Sequence, residues 1–135
     1  MNVLVVEPNT LPYEKEINGL DEMQAVVGGL IQAIYPFEDR AAVVCNDESL
    51  LIGLPFNRSM EGGYGAVFGT FFVCGLEKND FCSLTPDQMK LYKKKFEHAE
   101  LLLGFRGNEP MTLKVPAKPK EAESKSKQRP SEPER

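Results

Sequence analysis

The sequence has no tryptophan, a single histidine and only three cysteines. Cys45, Cys74 and Cys82 are odd in number and lack C-x-x-C spacing, so they suit neither a disulfide framework nor, with His98 as the lone imidazole, an ordinary structural zinc site. A reducing cytoplasm suits such thiols. Long apolar runs are missing too: no uncharged stretch is longer than Gly62 to Leu76, which is glycine-rich and shorter than the roughly 20 residues of a membrane span. No basic segment precedes an apolar one at the amino terminus, so the sequence predicts a soluble cytoplasmic protein without membrane association. Apolar side chains make up 41% of the chain, and the deficit is concentrated at one end. Residues 116–135 offer only Ala117 and Ala122 among four prolines and ten charged residues. That composition cannot offset its ordering entropy, which predicts a disordered tail and a compact domain over residues 1–115.

Charge is divided unevenly between the two. The tail holds six basic and four acidic residues, leaving the body ten basic and sixteen acidic, a net of −6. Such a body repels a phosphate backbone, so direct nucleic-acid binding is not expected. The tail lacks aromatics, and its Pro116-x-x-Pro119 is a weak peptide-ligand signal.

In the body, Val3 to Val6 reads as a buried strand closed by Glu7-Pro8-Asn9, and Tyr13, Lys15 and Ile17 alternate with acids as a strand hairpinned onto it. Leu20, Met23, Val27, Leu30, Ile31 and Ile34 recur at helical spacing, predicting an amphipathic helix over about 20–34 with Asn18 as its cap. Gly28 and Gly29 fall inside that helix, implying close approach of another backbone. Tyr35–Phe37, Ala41–Cys45 and Leu50–Leu54 read as strands of a meander, with Asn46 to Ser49 as a turn. Ala66–Gly75 reads as the most hydrophobic and most central strand, with a bulge or close contact at Gly69. Thr85, Pro86 and Gln88 form a capping box, with Leu84 and Met89 as its hydrophobic staple, opening a helix over about 86–103 that Gly104 ends. Met111, Leu113 and Val115 add an edge strand. The sum is an α+β domain with one mixed or mainly antiparallel sheet of about five strands and two packed helices.

Little in this layout carries chemistry. Gly62-Gly63-Tyr64-Gly65 lacks the Lys-Ser or Lys-Thr of a phosphate loop and leads into a strand. The three cysteines lie in apolar contexts that suit buried small side chains rather than thiolates, and His98 sits late on a lysine-rich helix face. The acidic pairs Asp21-Glu22, Glu38-Asp39 and Asp47-Glu48 are adjacent residues whose side chains diverge. No catalytic, metal or cofactor site is therefore expected. The exception to ordinary turn chemistry is Gly53-Leu54-Pro55-Phe56-Asn57-Arg58, where an amide and a guanidinium fork can meet a carboxylate, phosphate or base edge. The competing reading has Asn57 capping a turn and Arg58 paired with an acid.

Met1 to Pro8, Val26-Val27-Gly28-Gly29, Tyr35 to Asp47, Gly53 to Arg58 and Phe68-Gly69-Thr70-Phe71-Phe72-Val73-Cys74-Gly75 together resemble a family known as domain of unknown function 3846, over about residues 1–100. That resemblance implies a small protein of bacteria, their phages or conjugative elements, and carries no activity with it. It implies one face where the glycines and the Asn57-Arg58 pair converge, nominating Pro55, Asn57, Arg58, Gly69 and Thr70 as ligand- or partner-binding residues. Family members often carry an acid shortly before the Gly-Thr strand; here Ala66-Val67-Phe68 stands there, which argues against acid-assisted chemistry. Two functions follow as expectations: a non-catalytic accessory protein that recognises a host protein, or a binder of a nucleotide-like anion through Gly53–Arg58. A homodimer through the edges at Met111–Val115 or Tyr13–Ile17 is compatible with either.

Overall fold

The computed structural model describes residues 1–120, which form ten strands and two helices. In chain order these are β1 (Asn2–Val6), β2 (Tyr13–Glu16), α1 (Gly19–Val27), β3 (Ile31–Ile34), β4 (Ala41–Asn46), β5 (Phe56–Met60), β6 (Gly65–Phe68), β7 (Phe71–Glu77), β8 (Asp80–Cys82), α2 (Pro86–Lys95), β9 (His98–Arg106) and β10 (Glu109–Pro116). The fold is α+β with antiparallel pairing throughout these strands. The main sheet runs β2-β1-β7-β4-β3, with β8 on the far half of β7, while β5–β6 and β9–β10 form two separate ribbons. No helix among the described residues is long and apolar enough to cross a membrane.

The three central strands are continuous apolar runs because both faces of the sheet are covered. Val3, Val5, Ala42, Val44, Phe72 and Cys74 pack on one side with Val27 and Met23 of α1. Leu4, Val6, Val43, Phe71 and Val73 pack on the other with Met89 and Tyr92 of α2, and with Phe96 just beyond it. A period of two along each strand thus feeds two cores at once. Phe71 and Phe37 add edge-on and tilted ring contacts to Phe96 and Tyr92, with centroids 5.4 and 4.7 Å apart. The first hairpin and the capping box stand as expected from the sequence: Thr85 Oγ1 accepts from the Gln88 amide at 3.1 Å, Gln88 Oε1 accepts from the Thr85 amide at 3.0 Å, and Leu84 and Met89 are both buried.

Several expected elements are shorter or different. The first helix ends at Val27 rather than running to 34, because Gly28 adopts a left-handed C-cap (φ 80°) and the Gly28 and Gly29 amides both donate to the Gln24 carbonyl. Ile31–Ile34 is then free to pair with β4, and what approaches Gly29 is the Asn46 side chain rather than a backbone. Asn18 stands at the N-cap but makes no side-chain capping bond, since its Oδ1 accepts from the amino terminus. Tyr35–Phe37 and Leu50–Leu54 are not strands. The expected strand Ala66–Gly75 is two, β6 and β7, broken where Gly69 takes φ 84°; the β7 part is central. The second helix stops at Lys95, and residues 98–106 form β9 because β10 supplies them with a partner from His98↔Pro116 to Arg106↔Glu109. The ordered body also runs past Val115. The Leu11 amide donates to the Lys118 carbonyl at 2.7 Å, the Lys118 amide to the Asn9 carbonyl at 3.0 Å, and Lys120 pairs with Glu7. The disordered tail expected after residue 115 otherwise falls on 121–135, which lie outside the described residues.

Candidate functional site

The Asn57-Arg58 pair lies on β5 at an irregularity in its pairing with β6, between Phe56 and Arg58. A bulge there turns Asn57 inward as well as Arg58, and both are buried, Arg58 at 0% exposure. Asn57 Nδ2 donates to the carbonyls of Val6 (2.9 Å) and Gly69 (2.8 Å), while its Oδ1 accepts from Arg58 Nη1 at 2.7 Å. Arg58 Nη2 donates to the carbonyls of Thr10 (2.9 Å) and Phe96 (3.0 Å). One guanidinium therefore ties the turn after β1, the end of α2 and β5 together. Burial lowers its pKa to about 10, partly opposed by the charge of Glu100, so it stays charged at neutral pH. Among the described residues Arg58 forms no ion pair with an acid, contrary to the competing sequence reading, and Asn57 bridges two strand ends rather than capping a turn. Glu100 instead accepts from the Ser59 amide and hydroxyl at 3.0 and 2.7 Å, and Arg58 Nε has no hydrogen-bond partner among the described residues.

Gly69 completes this corner. Its amide donates to the Pro55 carbonyl at 2.6 Å, its φ of 84° favours glycine, and a Cβ at position 69 would stand 2.6 Å from Leu54 Cδ1 and displace that side chain. Pro55, Asn57, Arg58 and Gly69 thus meet at one corner, whereas the Gly28-Gly29 pair expected on the same face lies against Asn46 instead, and what the corner holds out is the chain just before it. From Asn46 onward that chain winds into a tight turn: Asn46 Oδ1 accepts from the Glu48 amide (2.7 Å), Ile52 N donates to Glu48 O (3.1 Å), and Leu54 N donates to Ser49 O (3.0 Å). Gly53 at φ 72° ends it. Leu50, Leu51 and Ile52 project from this closed turn into water, Leu51 at 85% exposure. Leu50 and Leu51 also rim a cleft of about 260 Å³ shared with Gln32, Cys45, Asn46 and Tyr64. Sequence reasoning missed this turn; its signal was three consecutive apolar residues without alternation, ended by glycine and lying between two turn clusters.

Thr70 goes elsewhere. It lines an open groove of about 550 Å³ between β2 and α1, with Glu7, Glu16, Glu22 and Lys15, whose acidic excess opposes an anion. Burial raises Cys45 to about 11 and Cys74 to about 12, far from thiolate behaviour at neutral pH, while Cys82 is half-buried rather than buried. His98 is exposed at the start of β9, not on a helix. Among the described residues, no three His, Cys, Asp or Glu side chains are placed to hold a metal ion.

No curated protein and no solved structure matches this chain. A family model does: that of a domain of unknown function, DUF3846, matches residues 1–97, which take in both helices, the main sheet and the whole Asn57-Arg58 corner. The chain belongs to the DUF3846 family.

Proposed function

We propose that this chain is a small non-catalytic recognition protein of a phage or mobile element, binding a host protein through the Leu50–Ile52 turn and the cleft beside it. The observation that carries the reading is the exposure of three adjacent large aliphatic side chains, 73%, 85% and 55%, on a turn closed by backbone hydrogen bonds from Ile52, Gly53 and Leu54 to Glu48, Leu50 and Ser49. An isolated exposed leucine is ordinary, whereas a contiguous apolar knob costs solvation until a partner covers it. Rigidity matters as much as exposure, because a preformed knob loses little entropy on docking. The end of the turn is fastened to the buried Asn57-Arg58 corner through Gly69, whose amide donates to the Pro55 carbonyl while its carbonyl accepts from Asn57. A nucleotide-like anion at Gly53–Arg58 would need donors that Asn57 and both Arg58 Nη atoms already give to protein acceptors.

The test is affinity capture from bacterial lysate with the full chain and with the Leu50→Ser/Leu51→Ser/Ile52→Ser variant. The expected outcome is a stoichiometric protein partner held by the native chain and lost by the variant, with both melting at about the same temperature. No stoichiometric partner, or equal capture by both chains, would overturn the reading. A bound mass of a few hundred daltons in the native mass spectrum, released on denaturation, would favour the small-ligand alternative.

A further inference from the structure

The β9–β10 ribbon carries a second apolar surface, separate from the Leu50–Ile52 turn. Its register pairs Leu101 with Leu113, and the bulge between Met111 and Thr112 sets Leu103 and Gly104 together opposite Met111. Leu101, Leu103, Met111 and Leu113 consequently share one face. They are 42–65% exposed, whereas Leu102 and Thr112 on the other face are half-buried. Next along the same face, at the tip, Arg106 stands opposite Glu109. Both are exposed, and neither makes an ion pair within the described residues.

We infer that this face is covered by a second copy of the chain, the two ribbons stacking face to face about a two-fold axis parallel to their strands. That axis lays β9 of each copy over β10 of the other. Leu101 then meets the second copy's Leu113, Leu103 meets its Met111, and Arg106 meets its Glu109, each contact occurring twice as an isologous interface requires. The charge order selects a second copy because the face offers one cation and one anion in the positions that a two-fold exchanges. Edge-to-edge pairing through β10 is hindered, since Pro110 and Pro116 lack amide donors and Lys114 lies between them. Four half-exposed aliphatic residues contribute about 400 Å² per copy, so about 800 Å² in the pair before the charged rim is added. That size places the dimer at the reversible end of specific interfaces.

Sedimentation velocity of the full chain from about 5 μM to about 500 μM tests this. The native protein moves reversibly from monomer to dimer over that range. Leu103→Asp, at an exposed position, stays monomeric with an unchanged circular dichroism spectrum. Arg106→Glu and Glu109→Arg each weaken the dimer by about tenfold. An equimolar mixture of those two variants recovers it, because each then opposes Glu with Arg across the interface and not within its own ribbon. A native chain that is monomeric throughout, a dimer indifferent to Leu103→Asp, or a mixture that fails to recover would each overturn the inference.

Discussion

Arg58 illustrates how a residue suited to ligand binding can instead serve the fold. Burying a guanidinium without a carboxylate is costly, and here the cost is offset by carbonyl oxygens of Thr10 and Phe96 and by Asn57 Oδ1. Removing the side chain would leave those acceptors buried and unpaired. With each unpaired acceptor costing about 1–3 kcal/mol, Arg58→Ala should lose about 3–5 kcal/mol of stability, seen as a melting temperature lower by about 10 °C or more. Lysine should not rescue it, since a single ammonium cannot reproduce the planar fork that reaches three elements. An unchanged melting temperature would return Arg58 to the surface-binding role that its sequence suggested. The sequence did mark this pair as unusual, because an amide and a guanidinium follow apolar residues there. Burial escaped it, since the covering groups come from Val6, Thr10, Gly69 and Phe96, residues remote along the chain.

At the scale of elements, local signals were readable where both partners of a bond lie within a few residues. The capping box of α2 spans Thr85 to Gln88, so its geometry follows from four positions. Thr85→Ala should cost about 1 kcal/mol in a denaturant titration; a loss within error would mean that packing of Tyr92 and Met89 alone sets the start of that helix. Helix ends were less readable. His98 to Leu103 has helical periodicity and good helix formers, yet becomes strand because the eight cross-strand pairs between β9 and β10 outweigh a weak intrinsic preference. Gly28 and Gly29 were legible as a cost inside a helix, and they make better sense as its end, where left-handed backbone satisfies the last carbonyls. Leu50–Leu54 has the apolar content of a strand, yet Gly53 near its end suits the turn that it forms.

For the whole molecule, pH reports how the two cores hold titrating groups. The Tyr92 hydroxyl donates to Asp39 at 2.5 Å and, with the Arg40 amide and Gln88, holds the Asp39 carboxyl below its usual value of 3.8. A carboxylate with a lowered folded pKa contributes stability that is complete above the unfolded value and lost as pH falls through the folded one. The acid limb should thus lie below about pH 4, and Asp39→Asn should make it shallower. Burial raises Cys45 to about 11, Cys74 to about 12 and Tyr92 upward as well, so the folded state keeps protons that the unfolded chain releases. Stability should fall from about pH 9 upward, and Cys74→Ala should flatten that fall in melting curves between about pH 8 and pH 11. A stability profile flat to pH 11 would show these groups to be solvated in the folded protein.

By itself the sequence determined the α+β class, the first hairpin, the capped start of α2, the central place of Phe71–Gly75 and the gathering of Gly53–Arg58 with Gly69. Each of these rests on periodicity, turn chemistry or bonds between near neighbours, apart from the last, which came from family resemblance. Only the tertiary structure decided that β7 pairs with three strands, β1, β4 and β8, that Arg58 is enclosed, and that Leu50–Ile52 and one face of β9–β10 remain in water. Burial depends on which distant segments arrive to cover a side chain, and pairing on which strand lies alongside. Neither is a property of a short stretch of residues.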